Sequence, residues 1–90
     1  MLVTTESKAQ NWRAVVIFDD RPDALIFVGR SSTHVRQEYI GAFLALLDEE
    51  EQGHASAIQM QQWSGSPDAG RWLFKSELKV PTPTLVRLAA

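Results

Sequence analysis

"VGRSSTHVRQEYIG", Val28 to Gly41, is where the chain changes its period. Val28 ends a run of aliphatic and aromatic residues. Gly29 interrupts that run, and Ser31, Ser32 and Thr33 supply the hydroxyls that cap helix starts. From Thr33 onward Val35, Tyr39, Ala42, Phe43 and Leu46 recur at helical spacing, with Ile40, Leu44 and Leu47 widening the stripe. The spacing predicts one helix to about Gln52, with Gly53 as its C′ residue.

On either side of this helix the period is that of strands. "WRAVVIF", Trp12–Phe18, is β-branched and aromatic, and "ALIFV", Ala24–Val28, matches it. "DDRPD", Asp19–Asp23, is turn chemistry, so the pair reads as a hairpin. After the helix, "SAIQMQQW" (Ser56–Trp63) and "RWLFKSELKV" (Arg71–Val80) flank the loop "SGSPDAG". Opposing Ile58 to Leu78 and Gln62 to Phe74 puts Trp72, Phe74, Leu78 and Val80 on one face. Gln59, Gln61, Trp63, Leu73, Lys75, Glu77 and Lys79 then fall on the other. "PTPT" stops the ladder. The expected fold is α+β with the order ββαββ: a four-stranded antiparallel sheet with one helix packed on one face.

Ninety residues make a single domain, divided into a loose arm at 1–11, a core at 12–80 and an apolar tail at 81–90. A hydrophobic fraction of 44% suits a globular chain. There is no cysteine, so disulfides, thiolate metal sites and a cysteine nucleophile are excluded, and the composition points to the cytoplasm. The N-terminus has no signal-peptide pattern, and no apolar run is long enough for a membrane span. A net charge of −2 argues against a protein built for phosphate backbones.

Three surfaces carry candidate functions. The first is the sheet face away from the helix. In the first hairpin Val15 and Ile17 point opposite to Val16 and Phe18, and strict alternation sets Leu25 and Phe27 opposite to Ile26 and Val28. Both faces are therefore apolar, and one helix covers only one of them. The C-terminal tail, the N-terminal arm or a second copy of the chain has to cover the other; a second copy is the expected cover, with Val15, Ile17, Leu25 and Phe27 at the interface. Gly41 and Ala45 on the helix offer a further place for two copies to approach. The second surface is the helix start. Arg30, Ser31, Ser32, Thr33, His34 and Arg36 surround backbone N–H groups that attract anions, although a simple N-cap explains the same residues. Basic residues at that end and the acids 48–51 at the far end oppose the helix dipole. The third is a strand face with Trp63 for base stacking and Arg71, Lys75 and Lys79 for phosphates, against which stand Glu77 and the acidic total.

Catalytic chemistry has little support. His34 and His54 belong to no metal-ligand spacing, no serine sits in a nucleophile elbow, and Asp19, Asp20 and Asp23 lack the spacing of a calcium loop. No cofactor or metal is expected. The reading is a non-enzymatic protein-interaction module that forms a homodimer through an apolar sheet face. Nucleic-acid binding and anion binding are the alternatives.

Overall fold

The computed structural model describes residues 10–81 and has the expected ββαββ order. Strands β1 (Trp12–Phe18) and β2 (Ala24–Gly29) form the first hairpin. Helix α1 (Ser32–Leu46) follows, then the five-residue helix α2 (Glu49–Gly53). Strands β3 (Ala55–Ser66) and β4 (Ala69–Leu78) form the second hairpin. All pairings are antiparallel, in the order β2-β1-β3-β4, so the two hairpins join through β1 and β3. Most of the assigned arm and tail lies outside the described residues. Asn11 is not loose: its carbonyl accepts from the Trp63 N–H at 2.8 Å and prolongs the β1–β3 ladder.

The helix is shorter than its apolar stripe implies. It stops at Leu46, and Leu47 takes extended backbone angles. The cause is Asp48. Its carboxylate accepts from the Glu51 N–H at 2.8 Å, and the Glu51 carboxylate accepts from the Asp48 N–H at 2.9 Å. This reciprocal pair starts a new helix at Glu49. The expected conflict between the acids and the helix dipole therefore does not arise. Glu49, Glu50 and Glu51 occupy the first turn of α2, where negative charge is favoured.

Three single-residue bulges change which side chains share a face. Ala14 pairs with Phe27 but Val15 with Leu25, so Ile26 is an extra residue in β2. Ser56 is extra in β3, between the partners of Ile17 and Phe18, and its hydroxyl donates to the Ile17 carbonyl at 3.0 Å. Met60 pairs with Ser76 but Gln61 with Phe74, so Lys75 is extra in β4. The expected Ile58–Leu78 pair is present; Gln62 faces Leu73 rather than Phe74. Each bulge reverses the alternation beyond it. In β2 it turns Phe27 toward the helix, correcting its expected place on the open face. In β4 it turns Trp72 and Phe74 away from the helix, correcting their expected place in the core.

The core lies between α1 and the sheet. Val35 and Phe43 from α1 meet Val16 and Ile58 from the central strands, all without solvent contact. Tyr39 is buried beside them, and its hydroxyl donates to the Lys79 carbonyl at 2.7 Å, tying the helix to the residue that follows β4. Burial pushes this phenol above the usual tyrosine range. Phe43→Ala should lower the unfolding free energy by about 3–5 kcal/mol, whereas Phe74→Ala, at a site 59% exposed, should change it by about 0.5 kcal/mol or less. Urea unfolding at low protein concentration measures both. Equal losses would contradict the bulge at Lys75.

Candidate functional site

The sheet face opposite α1 carries side chains that the helix does not cover. Its residues fall into rows across the strands. Leu25, Val15, Gln59 and Glu77 form one row, and Val28, Arg13, Gln61 and Phe74 form the next. Trp63 pairs with Trp72 beyond them, toward the tip of the β3–β4 hairpin. The β2–β1 side of the face is aliphatic and the β3–β4 side is aromatic, with amides between.

The aromatic side is held in place. The Trp63 and Trp72 rings meet edge to face at 5.4 Å. The Arg13 guanidinium lies 4.2 Å from the centre of the Trp72 ring, and its Nε donates to Gln61 Oε1 at 2.7 Å. Gln61 in turn donates to Gln59 Oε1 at 3.1 Å, and Trp63 Nε1 donates to the Ser66 carbonyl at 3.0 Å. Partial burial lowers the Arg13 pKa, and the guanidinium stays charged. Gly70 makes room for this arrangement. A Cβ there would collide with the Ser64 carbonyl and come within 2.8 Å of the Trp63 ring. The hairpin closes through Pro67 and Asp68, with Gly65 at φ +114° opposite Gly70.

Of the residues expected at a self-association surface, Val15, Ile17 and Leu25 are on this face. Leu25 is 52% exposed, while Val15 is only 5% exposed. Phe27 is on the helix side, with its ring edge-on to His34 at 5.1 Å. Gly41 and Ala45 lie on the exposed side of α1, and a Cβ at Gly41 would meet nothing within 4 Å. Ile40 and Leu44 are exposed on the same helix rather than part of the core.

The residues expected at a nucleic-acid surface do not come together. Trp63 is on the open face, Arg71 pairs with Ser64 in the opposite phase, and Lys75 is the bulge residue. Lys79 is exposed just past the end of β4. Trp72, Phe74 and Arg13 occupy the platform instead. Regular alternation back from Leu78 sets Trp72 and Phe74 on the core face, and the extra residue Lys75, which leaves no mark in the hydrophobic pattern, reverses that phase.

At the start of α1 two of the candidate anion-binding residues, Ser31 and His34, make local capping contacts with their side chains. Ser31 is the N-cap, and its hydroxyl accepts from the His34 N–H at 3.1 Å. His34 Nδ1 accepts from the Arg30 N–H at 3.2 Å, which pairs the backbone donor just before the cap. Gly29 is needed for packing: a Cβ there would lie 3.0 Å from the Phe27 ring and 3.1 Å from both His34 and Val35. Ser32, Thr33 and Arg36 flank this cap, and Arg30 enters it through its backbone N–H.

A fourth cluster joins the first turn to α2. Arg21 donates to Asp20 at 2.9 and 3.1 Å and to Glu50 at 3.2 and 3.0 Å. The Arg21 hydrogen bonds hold both carboxyls below their usual range, and the two acids raise the pKa of Arg21. Among the described residues, no group of three His, Cys, Asp or Glu side chains is placed to hold a metal ion, and no helix is long and apolar enough to cross a membrane.

Arg13→Ala should lower stability by about 1 kcal/mol, from the lost hydrogen bond and ring contact, and should red-shift the tryptophan emission. Arg13→Lys should not restore either, because an ammonium cannot lie flat on Trp72 while donating sideways to Gln61. Urea unfolding followed by fluorescence reads both effects. No family model matches the chain, and no curated protein or solved structure shows significant similarity to it.

Proposed function

We propose that the chain is a protein-interaction module that self-associates through the open face of its sheet. The observation that carries this reading is the pre-arranged surface of Trp63, Trp72, Phe74 and Arg13 beside Leu25 and Ile17, which lie over the buried Val15 side of the face. Aromatic and arginine side chains are enriched where protein interfaces concentrate their binding energy, and lysine is depleted there. Charge supports a copy of the same chain as the partner: Arg13 and Glu77 leave the two rows near neutral. A two-fold axis along the strands would lay the aliphatic side of one copy on the aromatic side of the other. Two sheets stacked in this way pack about 10 Å apart.

The Trp63–Trp72 pair also favours a second reading, stacking of single-stranded nucleic acid. Only Arg13 supplies positive charge beside it within the two rows, and that guanidinium is already engaged.

Light scattering across a concentration series should give twice the chain mass, falling to the chain mass in Leu25→Asp and in Phe74→Asp. Both sites are more than half exposed, so both variants should keep the circular dichroism of the parent. Phe27→Asp should instead unfold the chain, since Phe27 packs toward the core. A parent that stays monomeric at every concentration would overturn the reading. Salt-dependent binding of single-stranded nucleic acid by that monomer would favour the second one.

A further inference from the structure

A second apolar surface lies on α1, where Ile40 and Leu44 are 44% and 45% exposed. They are four residues apart, so their side chains are neighbours on the helix surface. The opposite flank of α1 shows which way they face. The helix packs over β2 and β1, at one side of the sheet. Its β2 flank is marked by His34, whose ring meets Phe27. From the buried line through Val35, Tyr39 and Phe43, His34 and Ala42 turn to one side at about 100° per residue. Ile40 and Leu44 turn to the other, toward β3 and β4.

The described chain ends on that same side. Leu78 is buried, Val80 packs against the core, and the Lys79 carbonyl between them accepts from the Tyr39 hydroxyl. Pro81 has no N–H with which to continue the ladder. The exit from β4 is thus tied to the residue that precedes Ile40 on the helix. Residues 82–90, "TPTLVRLAA", lie outside the described residues and include Leu85, Val86 and Leu88. We propose that this C-terminal segment closes onto the exposed flank of α1, setting Leu85, Val86 and Leu88 against Ile40 and Leu44. The domain is then covered on its helix side by its own chain.

Length and direction favour this occupant. The segment 82–90 spans about 30 Å when extended, and Leu44 lies only about 8 Å along the helix from Tyr39. The other end of the chain is badly placed for the same surface. Asn11 pairs with Trp63, at the opposite end of β3 from the Ile58–Leu78 pair where the chain leaves. The open sheet face is reached only by turning around the β4 edge, away from the side on which Val80 packs. The assignment does not depend on self-association through that face.

The chain has no cysteine, so a nitroxide attached through Ala90→Cys labels one position of the full chain. The methyl signals of Ile40 and Leu44 should lose most of their intensity, and those of Leu25, across the sheet, far less. Adding Leu85→Asp and Leu88→Asp to the labelled chain should return much of the lost intensity, since the tether alone remains. A mixture of isotope-labelled parent with isotope-free, nitroxide-labelled chain should leave Ile40 and Leu44 undiminished, because the contact is within one chain. Full Ile40 and Leu44 signals in the nitroxide-labelled chain would overturn the proposal. So would a loss that the two aspartates do not relieve, a loss centred on Leu25, or an equal loss in the mixture, which would make the occupant a second copy.

Discussion

A single fifteen-residue helix has to close a four-stranded sheet, and it can do so on one side only. This limit decides what each strand does with its apolar residues. β1 contributes Ala14, Val16 and Phe18 to the helix side and leaves Val15 and Ile17 on the other. The bulges then adjust the edge strands. Ile26 adds a residue that lets both it and Phe27 serve the core side, so β2 fills the space beneath the start of α1. Lys75 does the reverse in β4, keeping Leu78 in the core while moving Phe74 and Trp72 to the open face. Beyond the helix there is little core for those rings to fill, and on the open face they meet Trp63 and Arg13.

Charge is placed with the same economy. Among the described residues no charged side chain is buried, and no buried side-chain nitrogen or oxygen lacks a partner. The break after Leu47 converts four consecutive acids from an unfavourable helix end into a favourable helix start. One of them, Glu50, then meets Arg21 and ties the junction to the first turn. His34 has a comparable local role, accepting from Arg30 and packing on Phe27, which explains a histidine at a helix start without a ligand.

The element order, the first hairpin, the Ser31–Thr33 helix start and the Ile58–Leu78 pair were legible from periodicity and turn chemistry. The bulges were not, for a physical reason. "ALIFV" is apolar at every position, so inserting one residue changes no hydrophobic pattern. In β4, Trp72 and Leu73 are both apolar, and Lys75 reads as an ordinary outward residue in a regular strand. The break in the helix did leave a signal. Asp48 and Glu51 have capping-box spacing, but the stripe running to Leu47 and the glycine at 53 outweighed it. The candidate face was therefore recognised as apolar while two of its three aromatic members, Trp72 and Phe74, were assigned to the core.

The central claim is that the aliphatic and aromatic sides of this face belong against each other across a two-fold axis. The most direct measurement is an isotope-filtered NOE experiment on a mixture of labelled and unlabelled chains. Intermolecular NOEs are expected between the Leu25 methyl groups and the Phe74 and Trp72 rings. Intermolecular NOEs confined to Ile40 and Leu44 of α1, or none in a sample shown to be dimeric, would contradict it.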